Sequence, residues 1–261
     1  MEQVLETIVA KSRKELAESR KRIPASLLES RIPELPPVRD FAAALRRPGR
    51  RVIAELKAAS PSKGAIRPEL DREVERLAAG LEAAGAAALS VLTERNFFLG
   101  SGMNLRRARG SVDIPLLRKD FIYDEYQILE ARVWGADAIL LIAAMLTPEE
   151  FRKLRAFAAS LGLAVLCEAH TADELDMLLD GGAEIVGINA RNLSTFETSF
   201  ALAGELIRQI PAGKIAVAES AIRSADDLNA MEQLGAKAFL IGETLMRAER
   251  PGEKLCELLS K

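Results

Sequence analysis

The chain has 261 residues, 49% hydrophobic and 28% charged, which supplies a large core and excludes a disordered chain. Its 36 basic and 38 acidic residues leave a net charge of −2, with no basic run interleaved with aromatics, so no nucleic-acid partner is expected. No apolar run reaches the ~18 residues of a membrane span, the N-terminal stretch is too rich in Glu, Lys and Arg for a secretory leader, and Cys167 and Cys256 make no metal-spaced pair; a cytoplasmic setting without membrane contact is expected.

Residues 2–22 carry Val4, Leu5, Ile8, Val9 and Leu16 at helical spacing among charges, an amphipathic helix. Pro24, Pro33, Pro36 and Pro37 then break regular structure. Asp40 caps a short helix over Phe41–Leu45, which Pro48-Gly49 stops. Residues 1–50 are therefore read as a helical extension packed on the main domain, 51–261.

From residue 51 strands alternate with helices. Candidate strands are 51–57, 87–92, 114–119, 137–143, 163–168, 184–189, 214–219 and 237–241, each rich in Ala, Val, Ile and Leu with little alternation, as in strands buried on both faces. Thr147-Pro148-Glu149-Glu150 has the cap, first-turn proline and reaching acid of a helix start; Thr171-Ala172-Asp173-Glu174 and Ser224-Ala225-Asp226-Asp227 follow the same logic. Gly-Ala recurs before the even strands at Gly85-Ala86, Gly135-Ala136, Gly182-Ala183 and Gly235-Ala236, one βαβα unit apart. The expected fold is α/β, a (β/α)8 TIM barrel with an N-terminal helical extension; the length suits it, since such barrels need ~250 residues. An open doubly wound sheet is the structural alternative.

Polar residues collect at the C-terminal strand ends, where barrels of this kind place their chemistry. Strand one ends in Glu55 and Lys57, two apart and so on one face. Strand three ends Arg118-Lys119-Asp120-Phe121, strand five Glu168-Ala169-His170, strand six Asn189-Ala190-Arg191, strand seven Glu219-Ser220, and strand eight Leu240-Ile241-Gly242-Glu243. Charges gathered at one partly dry mouth shift one another's pKa values and suit proton transfer. His170, the only histidine, is read as serving the cap of the following helix; Trp134, Tyr123 and Tyr126 are read as a helix face against the barrel. The loops after strands seven and eight precede helices, a common way to hold phosphate through backbone N–H groups.

Glu55-Leu56-Lys57 with Ser60-Pro61-Ser62-Lys63-Gly64, Ser90-Val91-Leu92-Thr93-Glu94, Leu117-Arg118-Lys119-Asp120-Phe121, Gly187-Ile188-Asn189-Ala190-Arg191-Asn192-Leu193 and Ala218-Glu219-Ser220 resemble the indole-3-glycerol-phosphate synthase family, in the family's order from about 51 to 247. The resemblance implies ring closure of 1-(2-carboxyphenylamino)-1-deoxyribulose 5-phosphate with loss of carbon dioxide and water, in tryptophan biosynthesis. It implies no cofactor and no metal, and a monomer is expected. It makes Lys119 the general acid, Glu168 the proton-exchanging group and Lys57 the carboxylate contact and second acid. Glu55, Asn189 and Glu219 orient the lysines and the substrate. Ser60 helps to hold the carboxylate, Phe98 and Phe121 pack the aromatic ring, and Ser220, Gly242 and the Glu243 backbone take the phosphate. Arg191 and Leu240 complete the substrate-binding set. The N-terminal helices are expected to shape the substrate entrance. Ala221 departs from the glycine common in the family, and a Cβ there would tighten the approach to phosphate or force a different φ.

Three rival readings have stated signatures. A sugar-phosphate isomerase would carry a cysteine or aspartate base on strand one, where this chain has Glu55 and Lys57. A Schiff-base aldolase would use Lys57 or Lys119 as nucleophile. A non-catalytic scaffold barrel would have lost some of the charged strand ends.

Overall fold

Eight parallel strands close into a ring: β1 (Arg51–Leu56), β2 (Ala88–Leu92), β3 (Leu116–Lys119), β4 (Ala138–Ile142), β5 (Ala164–Ala169), β6 (Ile185–Asn189), β7 (Ile215–Glu219) and β8 (Ala238–Ile241). Each pairs with its neighbour in sequence, and β1 closes the ring by pairing with both β2 and β8. This computed structural model describes residues 3–191 and 199–260, with side chains from Leu5 onward; Val4's side chain, Asn192 and Leu193 lie outside the described residues. The strands match their expected spans to within a few residues. β3 begins at Leu116 and not at 114, because Pro115 has no N–H to give, although its carbonyl still accepts from Leu89 N.

Alternation along each strand sorts the side chains into two apolar layers. Val52, Ala54 and Leu56, Leu89 and Val91, Cys167 and Ala169, and Phe239 and Ile241 face outward and pack under the helices. Ile53, Ala88, Leu117, Leu166, Val217 and Leu240 fill the barrel interior. Glu55, Lys119, Glu168, Asn189 and Glu219 share the parity of the interior set, so the same alternation that builds the core turns them into the mouth.

Helix ends are set by the residues the sequence marked. Asp40 accepts from Ala43 N at 2.8 Å, and Thr147–Glu150 and Ser224–Asp227 form complete capping boxes. The Gly-Ala repeat has a single geometric cause. Gly85, Gly135, Gly182 and Gly235 all have positive φ, and the following alanine N–H reaches back to the carbonyls of Leu81, Ala131, Leu178 and Met231 at 2.9–3.0 Å. This left-handed stop ends a helix and returns the chain to the sheet.

The extension forms α1 (Gln3–Arg22), α2 (Ala25–Arg31), a short 3-10 turn and α3 (Phe41–Arg46). The prolines thus bracket a helix and do not abolish one: Pro24 stands just before α2, whose Leu28 packs with Tyr126 and Leu129. Tyr126 also donates from its hydroxyl to Ile23 O at 2.8 Å, so it faces the extension, whereas Trp134 stacks on Arg118 at 4.3 Å on the outer side of β3. Phe41 and Leu45 of α3 join the interior cluster, and Arg46 pairs with Glu184 just ahead of β6, which places α3 at the N-terminal end of the barrel. At the other end Ile8 of α1 joins the same cluster, against which Phe97 and Phe98 pack. Among the described residues no helix is long and apolar enough to cross a membrane.

Candidate active site

Four odd-numbered strands each send one long charged side chain to a common level: Glu55 from β1, Lys119 from β3, Glu168 from β5 and Glu219 from β7. Barrel interiors are layered in this way, with alternate strands filling one layer. Lys119 Nζ lies 3.3 Å from Glu168 Oε2, 3.5 Å from Glu219 Oε2 and 4.0 Å from Glu55 Oε2. Lys57, one residue past β1, donates to Glu55 Oε1 at 2.7 Å, and Ser90 approaches the other Glu55 oxygen at 3.4 Å. Two glycines make the room. A Cβ on Gly187 would meet Glu219 Oε1 at 2.0 Å, and one on Gly242 would meet Glu55 Oε1 at 2.4 Å.

Charge counting explains the protonation pattern. Glu55, Glu168 and Glu219 outnumber Lys57 and Lys119, and all three carboxyls are buried. Burial and the neighbouring Glu168 carboxylate push Glu219 well above the ordinary carboxylate range. Burial works against the charge on Glu168 too, but Lys119 and His170 outweigh it and hold Glu168 below its usual value. For Lys119, burial opposes the ammonium while the neighbouring acidic side chains of Glu168, Glu219 and Glu55 win, and its pKa is raised. Lys119 is therefore a mostly buried lysine whose surroundings favour the ammonium.

All fourteen residues expected at the site line one cavity of about 310 Å³ at this mouth. Its walls divide by chemistry. Phe98 and Phe121, with ring centroids 6.1 Å apart, form an apolar side together with Leu92, Leu140 and Ile142. Ser60 borders the cavity near Lys57 with a buried hydroxyl that has no hydrogen-bond partner among the described residues. On the far side Ser220 donates to Asn189 Oδ1 at 2.7 Å, and Arg191 N donates to the same oxygen at 3.0 Å. Arg191 then bridges loops, donating to Ser62 Oγ at 2.9 Å and pairing with Glu243 at 3.4 Å, while Arg247 holds Glu243 at 3.0 Å. Gly242 stands at the start of the short helix Glu243–Arg247.

Ser220 and Ala221 have φ of 66° and 60°, both left-handed. Ala221 thus holds a φ that favours glycine, so its turn carries strain. Residues missed by sequence reasoning are Ser62, Arg223 and Arg247, which line the cavity from loops and a helix where no strand alternation points to them. His170 is more than a cap residue. Its backbone N–H does donate to Glu174 Oε2 at 2.7 Å, but its imidazole is buried with Nε2 3.4 Å from Glu168 Oε1. Among the described residues no group of three or more His, Cys, Asp or Glu is arranged to hold a metal ion.

The sequence profile of indole-3-glycerol phosphate synthase matches residues 5–258. The chain belongs to the indole-3-glycerol phosphate synthase family. Proteins of that name from Dechloromonas aromatica and Koribacter versatilis are 44% and 47% identical to it, the matches covering 100% and 99% of this chain and 100% of each relative. One from Burkholderia ambifaria is 46% identical over 99% of both chains. The activity is that of the family, indole-3-glycerol phosphate synthesis. Solved structures show the fold alone: a mutant tryptophan synthase alpha-subunit from Pyrococcus furiosus superposes with a TM-score of 0.61 at 16% identity, covering 80% of this chain and 97% of that one. A protein described as KGPDC from Streptococcus mutans gives a TM-score of 0.60 at 16% identity, covering 80% and 95%.

Proposed function

We propose that this barrel acts as a carboxy-lyase that closes the pyrrole ring of 1-(2-carboxyphenylamino)-1-deoxyribulose 5-phosphate, with Lys119 as the acid of the first step. The observation that carries the reading is the ammonium of Lys119 held among the acidic side chains of Glu55, Glu168 and Glu219 inside the mouth. As the aromatic carbon attacks the ketone, negative charge grows on the ketone oxygen, and a fixed buried cation with a proton to give stabilises it. The carboxyl group then leaves as carbon dioxide. Its place before release is beside Lys57 and the buried hydroxyl of Ser60.

Dehydration follows. The former ketone oxygen takes a second proton and departs as water, and the carbon next to the ring nitrogen gives one up. Glu168 exchanges protons in this step, with Lys57 as second acid, and Glu55, Asn189 and Glu219 orient the lysines and the substrate hydroxyls. The anthranilate ring lies on Phe98 and Phe121 beside Leu240, while Arg191, Ser220, Gly242 and the Glu243 backbone take the phosphate.

A Schiff-base lysine needs a neutral amine, and the raised pKa of Lys119 works against one. Borohydride added with substrate tests this reading. It expects an unmodified protein by mass spectrometry, and a reduced lysine adduct would replace acid catalysis with covalent catalysis.

A further inference from the structure

The side chain of His170 is 6% exposed and stands between two carboxylates. Its Nε2 is 3.4 Å from Glu168 Oε1, on the catalytic layer, and its Nδ1 is 3.4 Å from Glu174 Oε2. Glu168 is fully enclosed, whereas the Glu174 side chain keeps 22% of its surface in solvent. Both imidazole nitrogens are buried, and each faces a carboxylate oxygen, Nε2 that of Glu168 and Nδ1 that of Glu174. On the inner side Glu168 Oε2 is 3.3 Å from Lys119 Nζ, and Glu219 lies beyond on the same ammonium. Lys119, Glu168, His170 and Glu174 thus form a file of exchangeable groups from the buried acid to the surface.

The chemistry needs such a route. The substrate's carboxylate leaves as carbon dioxide and its bonding electrons stay on the ring. The ketone oxygen leaves as water after taking two protons, and the ring carbon beside nitrogen returns one. Each turnover therefore consumes one proton, which must reach the buried carboxyl group of Glu168.

We infer that His170 and Glu174 are the proton inlet of the active site, recharging Glu168 and through it Lys119 after each turnover. A proton passes from solvent to Glu174 and on to Nδ1 of His170 while another leaves Nε2 for Glu168 Oε1. The imidazole thus keeps its charge but changes tautomer, and a flip of the ring restores the starting tautomer before the next turnover. Glu168 then hands a proton to Lys119. The inference rests on the proton-exchanging role of Glu168 proposed above. In it His170 is a positioning and relay residue that acts through Glu168 and does not touch substrate.

The test compares steady-state turnover with a single turnover at enzyme excess, for wild type, His170→Gln, Glu174→Gln and Glu168→Gln, each shown to be folded by circular dichroism. A first turnover draws on protons already in the site, whereas later ones need the inlet. For His170→Gln the ratio of steady-state to single-turnover rate is expected to fall by about 100-fold or more, the low side of what a proton-transfer group contributes. Glu174→Gln should lower the same ratio less, because water reaches that end. Imidazole added to His170→Ala should restore the steady-state rate. A wild-type ratio in His170→Gln would overturn the inlet, as would an equal loss in both rates with no imidazole rescue of His170→Ala, the pattern of a purely structural role. If Glu168→Gln keeps its turnover, the inlet falls together with the reading it rests on; if Glu168→Gln is inactive and the His170→Gln ratio is normal, the inlet alone falls.

Discussion

Lys119 Nζ and Glu168 Oε2 are 3.3 Å apart although β4 stands between the strands that carry them. The contact crosses the barrel interior, where side chains from odd strands meet in one layer. Neither group would keep its protonation alone: a lone buried ammonium or carboxylate loses its charge to desolvation, and each here supplies the opposite charge that preserves the other.

Removing the charge from Glu168 while keeping its shape isolates its role. Glu168→Gln should lower kcat by about 100-fold or more with a far smaller change in KM, as expected for a group that transfers protons in the transition state. Steady-state kinetics on the folded variant measure both, and an effect confined to KM would assign Glu168 to substrate binding.

The raised pKa of Lys119 fixes the sign of a pH effect on stability. A group whose folded pKa exceeds its unfolded value, about 10.4 for lysine, contributes stability that is fully present below the unfolded value and is lost as pH rises through the folded one. The stability gap between wild type and Lys119→Met should therefore hold from about pH 7 to about 9 and shrink only above the ordinary lysine range. Denaturant melts across this range measure the gap, and its closure by about pH 9 would place the folded pKa of Lys119 below the ordinary value.

Ala221 offers a test of backbone strain. Its φ of 60° is one that residues with a Cβ adopt at a cost of about 1–2 kcal/mol. Ala221→Gly removes that cost, offset by about 0.4–1 kcal/mol from the greater freedom of glycine in the unfolded chain. The variant should be as stable as wild type or slightly more so by thermal melting. A loss of about 1 kcal/mol, usual for Ala→Gly in regular structure, would mean that the left-handed turn carries no strain.

Much of this site was legible in the sequence because barrel geometry is written in period two. Once Ile53, Leu117, Leu166 and Val217 are interior, Glu55, Lys119, Glu168 and Glu219 must be interior as well, and the strand count brings them to one mouth. The Gly-Ala repeat marked the helix stops for an equally local reason. What the sequence hid depends on distance between elements. The short pairing of Ala59–Ser60 with Gly64–Ala65 follows from how the loop after β1 folds back on itself. The sharing of charge between Glu168 and Glu219 depends on the space that Gly187 leaves. The imidazole of His170 was hidden because a cap position fixes where the N–H goes and says nothing of where the ring lies. The helix Ala25–Arg31 was masked by flanking prolines that mark its limits and not its absence.

The central claim is that a charged Lys119 drives ring closure, and the direct measurement is product formation by Lys119→Met against wild type. With 1-(2-carboxyphenylamino)-1-deoxyribulose 5-phosphate, wild type should develop indole fluorescence and release carbon dioxide in equal amounts. Lys119→Met should bind the substrate and yield neither product at a rate within about 100-fold of wild type. Near-normal kcat in that variant, with the barrel folded, would contradict the account.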